Sequence, residues 1–238
     1  MATLDIQILP VLGDNYIYLL SHEGNAAVVD PSSADAVYRE VKERNLRLAH
    51  ILVTHHHGDH TAGVRALKKK TGCTVWGPDD NRVPGCDTAL IDGESFEVLG
   101  VTWDAMHVPG HTSSHMAYYC ADESLVFTGD TLFVGGCGRL LEGTAEQMWD
   151  SLQRLAMLPE DTRVYCGHEY AEENYRFACT VAPGEQVYAE RLAEVRMQLG
   201  SGQPTVPSLI DQERTTNVFL RAGNAAGFAG LRRLKDSF

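Results

Sequence analysis

Thr54-His55-His56-His57-Gly58-Asp59-His60 decides how the rest of this chain is read. It follows Ile51-Leu52-Val53, an apolar run of buried-strand length. Four imidazoles and one carboxylate fall within six residues. Imidazole nitrogen and carboxylate oxygen are ligands suited to zinc and comparable divalent cations. In the extended or loop backbone that follows a strand, alternate side chains point the same way. His55 and His57 are therefore expected to share one ion, with Asp59 and His60 reaching another and His56 turned aside.

Further ligands are expected where other strands end. Met106-His107-Val108-Pro109-Gly110-His111, Leu125-Val126-Phe127-Thr128-Gly129-Asp130 and Val164-Tyr165-Cys166-Gly167-His168 share one pattern. Each passes from apolar sequence through a glycine to one metal-competent side chain, and glycine permits the sharp turn that aims the next residue. The count then closes. His55, His57 and His111 form one set, and Asp59, His60 and His168 a second. Asp130 has two oxygens with which to bridge both, beside a shared water or hydroxide. Such a pair of ions, ~3.5–4 Å apart, is an arrangement used for hydrolysis. Solvent completes the coordination, so the site reads as catalytic, with Asp59 and Asp130 its carboxylates. Asp30, His107 and His115 are candidates to orient ligands from behind; His22 and His50 read as edge histidines.

Around these motifs the sequence predicts short strands at 4–9, 16–20, 26–29, 51–53 and 163–166, with helices at 34–45 and 61–70. Stretches 95–108 and 115–128 read as paired strands. Thr144-Ala145-Glu146-Gln147 is a capping box opening a helix with Met148, Leu152 and Leu155 on one face. Past residue 170 the character becomes helical, with Tyr188, Leu192, Val195 and Leu199 at helical spacing before Gly200. A β-rich part, residues 1–170, and a smaller helical part, residues 171–238, are expected.

A net charge of −12 over 238 residues disfavours phosphate backbones, so no nucleic-acid partner is expected. No apolar run approaches the ~20 residues of a membrane span, and Met1-Ala2-Thr3-Leu4-Asp5 lacks a leader-like pattern. The six cysteines form no C-x-x-C pair and read as free thiols, which suits the cytoplasm. A monomer is expected.

The histidine-rich motif, with His111, Asp130 and His168 in order after it, resembles the metallo-β-lactamase superfamily. Within it the chain most resembles the glyoxalase II, or hydroxyacylglutathione hydrolase, family. The narrower cues are Asp14-Asn15-Tyr16, Gly129-Asp130-Thr131-Leu132-Phe133, Gly136-Cys137-Gly138-Arg139, Glu142-Gly143-Thr144 and Gly167-His168-Glu169-Tyr170. Asn217-Val218-Phe219-Leu220-Arg221 and the closing Leu231-Arg232-Arg233-Leu234-Lys235-Asp236-Ser237-Phe238 complete them. The resemblance implies an α/β fold, an αββα sandwich with a C-terminal α-helical domain. It implies two divalent metal ions, zinc first and iron or manganese as alternatives, and hydrolysis of S-D-lactoylglutathione to glutathione and D-lactate. It places the glutathione contacts on Arg139, Tyr170, Arg232 and Lys235. The tail from Glu213 onward holds five basic and two acidic residues, a local +3 suited to the two carboxylates of glutathione. Leu141 stands where that family usually has an aromatic residue, and Gly58 where a larger one is common. Rival expectations are a mono-iron persulfide dioxygenase, a lactone or β-lactam hydrolase of the same superfamily, and a metal-binding protein without turnover.

Overall fold

The computed structural model describes residues 4–238; residues 1–3, on which part of the leader reading falls, lie outside the described residues. Two compact units emerge. One comprises residues up to His107 together with Ser114–Gly129, the other Val108–Ser113 together with Asp130–Phe238.

The first unit begins with β1 (Asp5–Val11), β2 (Asn15–His22), β3 (Asn25–Val29), α1 (Ala34–Glu43) and β4 (Arg47–Leu52). Then come α2 (Gly58–Thr61), α3 (Val64–Thr71), β5 (Thr74–Pro78) and β6 (Thr88–Leu90). The six strands form one sheet in chain order. β1, β2 and β3 are antiparallel, while β3 to β6 run parallel. Parallel neighbours need a crossover, and α1 and α3 supply two of them. Ser33 caps α1 by accepting from the Ala36 N–H. Val37 and Val41 of α1 and Val64 and Leu67 of α3 pack with Ile17, Leu19, Val28, Ile51 and Val75 of the sheet.

The opposite face of that sheet is covered by β7 (Ser95–Val98), β8 (Val101–His107), β9 (Met116–Cys120) and β10 (Leu125–Gly129), neighbours in an antiparallel run. Tyr18 lies 5.1 Å from Phe127 and Trp76 5.3 Å from Phe96, ring to ring. β2 is thus buried on both faces, which explains its nearly unbroken apolar sequence. The stretches 95–108 and 115–128 are paired in one sheet through β8 and β9, and each is itself a hairpin. Leu99 and Gly100 both take positive φ, and Ser124 closes a turn by donating to the Ala121 carbonyl. β8 and β10 are each antiparallel to β9, so they run the same way and end at the same edge.

The second unit contains β11 (Leu132–Phe133), β12 (Gly136–Cys137), α4 (Ala145–Ala156), β13 (Arg163–Cys166), α5 (Ala171–Val181), α6 (Gln186–Gly200), β14 (Ser208–Leu209), α7 (Ile210–Thr216) and α8 (Ala225–Asp236). The capping box at Thr144 and Gln147 forms as expected, and Met148, Leu152 and Leu155 are buried. Phe177 stacks on Phe219 at 5.8 Å and Phe228 meets Phe219 edge-on at 5.9 Å, joining α5 and α8 around the segment after α7. In α6 only Tyr188 and Val195 of the four spaced apolar residues are fully buried. No helix among the described residues is long and apolar enough to cross a membrane.

Candidate metal centre

β4 delivers the histidine-rich segment at the carboxyl end of a parallel strand, where open α/β sheets place their ligands. Asp30, just past β3, organises it. Its Oδ1 accepts from the Thr54 backbone N–H at 2.8 Å, and its Oδ2 accepts from the Thr54 hydroxyl at 2.7 Å. His60 Nδ1 is 3.0 Å from the same Oδ2. A carboxylate there requires His60 to carry its proton on Nδ1, which leaves Nε2 as a lone pair. The Thr54 hydrogen is already used, so His55 Nδ1, 3.0 Å from the Thr54 hydroxyl oxygen, is the donor of that contact. His55 Nε2 thereby carries no proton, and it lies 3.1 Å from His57 Nδ1. Bonds of ~2.0–2.1 Å at a tetrahedral angle set neighbouring ligand atoms about 3.3 Å apart. The His55–His57 spacing fits one edge of such a polyhedron. Asp59 Oδ2 sits 3.8 Å from His60 Nε2, and Asn15 donates to the Asp59 carbonyl at 3.1 Å.

The backing is buried. The His115 ring stacks on His55 at 4.6 Å and 21°. Gly129 has φ +48°, and a Cβ there would lie 2.5 Å from Thr54 Oγ1 and 2.7 Å from His115. His56 turns aside as expected; its Nδ1 is 3.7 Å from Asp80 Oδ2. Asp80 also accepts from Ser114 at 2.6 Å and from the Arg82 guanidinium at 2.7 Å. The Arg82 hydrogen bonds outweigh burial and hold the Asp80 carboxyl well below the usual carboxylate range. The His107 amide donates to Asp92, and the Trp76 indole donates to His50.

In the second unit, one oxygen is central. Asp130 Oδ2 lies 3.4 Å from His111 Nε2 and 3.3 Å from His168 Nε2. Both separations again match the edge of a tetrahedral coordination polyhedron, so this oxygen fits a divalent-metal donor set with either imidazole. All three side chains are buried. His111 Nδ1 donates to the Arg139 carbonyl at 3.0 Å, fixing its tautomer. The Tyr170 ring lies parallel to His168 at 4.9 Å and 4°.

The four residues expected to hold glutathione differ in exposure. Arg139 is exposed and Tyr170 half-buried. Arg232 and Lys235 are buried on α8. Arg232 donates to the Cys137 carbonyl at 2.9 Å, pairs with Asp236 and sits over the Phe219 ring; Lys235 pairs with Glu173. Much of the basic tail is also engaged, with Arg214 on the Ala156 and Leu158 carbonyls and Arg221 on Glu185. Leu141 is exposed, and a Cβ at Gly58 would meet open space. The six cysteines are free thiols; burial pushes the Cys137 thiol up to about 11.

The structure therefore gathers His55, His57, Asp59 and His60 in one unit, and His111, Asp130 and His168 in the other. Both groups are donor sets that fit divalent metal. The sequence did not single out Thr54, Asp80 or the Arg139 carbonyl. A backbone carbonyl leaves no compositional trace, and Thr54 was visible only as the residue opening the motif.

A family profile described as Metallo-beta-lactamase superfamily matches residues 11–168, and one described as Hydroxyacylglutathione hydrolase C-terminus matches residues 169–238. A Pseudomonas paraeruginosa protein named hydroxyacylglutathione hydrolase is 50% identical, covering 99% of this chain and 100% of its own length. Among solved structures, ETHE1 from Myxococcus xanthus is 27% identical with a TM-score of 0.76, over 96% of this chain and 90% of that one. TTHA1623 in a di-iron-bound form is 26% identical with a TM-score of 0.59, over 69% of this chain and 91% of that one.

Proposed function

The chain belongs to the hydroxyacylglutathione hydrolase family of the metallo-β-lactamase superfamily, and from that premise we propose that it converts S-(2-hydroxyacyl)glutathione, foremost S-D-lactoylglutathione, and water into glutathione and D-lactate. It is a metal-dependent thioester hydrolase of α/β fold, serving methylglyoxal detoxification. Residues 1–170 carry the chemistry and residues 171–238 hold substrate. The setting is the cytoplasm and the active form a monomer.

His55, His57 and His111 would hold one divalent ion and Asp59, His60 and His168 a second, with the Asp130 carboxylate beside His111 and His168. Zinc is the first candidate, iron and manganese the others. The observation that carries this reading is the single Asp130 oxygen within 3.4 Å of two imidazole nitrogens. The di-iron-bound TTHA1623 structure supports the count of two. When bound, such ions supply Lewis acidity toward the thioester carbonyl and a water acidic enough to react near neutral pH.

The protein's own groups do the rest. Asp30 and Thr54 hold protons on His60 Nδ1 and His55 Nδ1, keeping the opposite nitrogens as ligands. The Arg139 carbonyl does the same for His111. Asp59 and Asp130 keep their carboxylates toward the reacting water and orient it. Arg139 and Tyr170 meet the glutathione backbone, while Arg232 and Lys235 meet its carboxylate end, turning remote binding into placement of the carbonyl. The test is thioester loss with stoichiometric glutathione release. His57→Ala is expected to lose turnover by about 10²–10³-fold or more, the lower range being that seen when a key catalytic stabiliser is removed. Undiminished hydrolysis by His57→Ala would sink the assignment.

A further inference from the structure

Asp130 and the Arg139 carbonyl flank a short excursion of chain, β11 and β12 with their Val134-Gly135 tip. That excursion decides how Asp130 and His111 face each other, because His111 Nδ1 is tied to the Arg139 carbonyl at its far end. After the hairpin the chain closes tightly on its start. Gly138 donates to the Thr131 carbonyl at 3.2 Å, and a Cβ at Gly138 would lie 2.0 Å from the Asp130 carbonyl oxygen.

The tip is gripped by residues far along the chain. Glu213, fully buried on α7, accepts through Oε2 from the Gly135 N–H at 2.9 Å. The Asn217 amide donates to that same oxygen at 2.9 Å, to the Gly136 carbonyl at 2.9 Å and to the Phe133 carbonyl at 3.3 Å. Asn174 donates to the Val134 carbonyl at 3.0 Å. A Cβ at Gly136 would fall 2.3 Å from the Asn174 amide, and one at Gly135 2.7 Å from the Tyr175 ring. Hydrogen bonds and close packing together leave the tip one shape. A buried carboxylate is costly unless it is bonded, and here one bond goes to the tip and another to Asn217, which itself grips the tip.

We infer that Glu213, acting with Asn217, is a positioning residue for the metal centre: it fixes the Leu132–Cys137 hairpin and, through it, the distance between Asp130 and His111. The C-terminal part of the chain thus shapes the ligand set as well as meeting substrate. This inference rests on the metal reading above. Groups that orient ligands from behind typically change metal affinity or activity by 10–100-fold when lost.

The test uses the full chain loaded with zinc or cobalt(II), comparing wild type with Glu213→Ala, Glu213→Gln, Asn217→Ser and Asp130→Asn. Gln keeps an oxygen for Gly135 and Asn217, so Glu213→Gln is expected to stay within about threefold of wild type. Glu213→Ala and Asn217→Ser are expected to weaken affinity for one ion about tenfold, shift the cobalt visible spectrum and lower kcat with KM within twofold. If Glu213→Ala does not fold, Asn217→Ser carries the comparison. Loss of metal in Asp130→Asn, with affinity, spectrum and kcat unchanged in the Glu213 and Asn217 variants, would overturn the positioning role and leave the ligand assignment standing. Full metal retention by Asp130→Asn would overturn the ligand assignment, and the positioning role with it.

Discussion

Asp30 shows how one residue can set the chemistry of several. It occupies the left-handed region at φ 50°, uncommon outside glycine but tolerated by aspartate. From there its two oxygens dictate the proton positions on His60 and, through Thr54, on His55. Gly129 is the complementary case, where a missing atom matters. Gly129→Ala would combine an unfavourable φ with a Cβ driven into Thr54 and His115. It is expected to lower stability by roughly 1–3 kcal/mol and cut metal affinity, read by thermal melting and chelator competition. Asp80 predicts a pH dependence. Its folded carboxyl is held below its unfolded value, chiefly by Arg82, so its stabilising effect is complete above about pH 4 and fades as pH falls further. The melting-temperature difference between wild type and Asp80→Asn should therefore be flat from pH 6 to 8 and shrink below about pH 4. A difference that grows on acidification would contradict this. At this scale the proposed metal ligands stood out in the sequence, because each is a histidine or aspartate shortly after a strand. Their orienting partners were not, since Thr54, Asp80 and the Arg139 carbonyl act through geometry that spacing does not encode.

The strands and helices show where sequence pattern is strong and where it blurs. β2, β4 and α4 were readable because burial on both faces, or a capping box, writes itself into the sequence. The hairpins at Leu99-Gly100 and Ala121–Ser124 merged with their flanking strands in the sequence reading, since two-residue and four-residue turns barely interrupt an apolar alternation. β5 and β6 escaped notice altogether, being short and bounded by irregular chain. α8 bears on function most directly. Arg232 is 4% exposed, with its guanidinium on the Cys137 carbonyl, Asp236 and the Phe219 ring. Arg232→Ala removes a charged group that anchors α8 to β12 and that is proposed to meet substrate. KM is expected to rise about tenfold or more, with kcat changed less, and the melting temperature to fall by several degrees. Steady-state kinetics with S-D-lactoylglutathione and a melting curve check both. Unchanged KM would remove Arg232 from the substrate contacts.

Over the whole molecule, fold class and family were legible from motifs spread along nearly the full chain, and the family profiles cover residues 11–168 and 169–238. Which residues make up each compact unit was not legible. Segment Val108–Ser113 leaves one run of sequence to join the other unit, carrying His111 with it. No composition shift marks that exchange. The ligand groups of the two units, with their buried tautomer-fixing partners, are what the account rests on. The most direct measurement is a metal titration of the chelator-treated protein, following bound ion and S-D-lactoylglutathione hydrolysis together. The account predicts no activity without metal and a plateau at two equivalents of divalent ion per chain. Full hydrolysis by metal-free protein, or a plateau at one equivalent with no further binding, would contradict it.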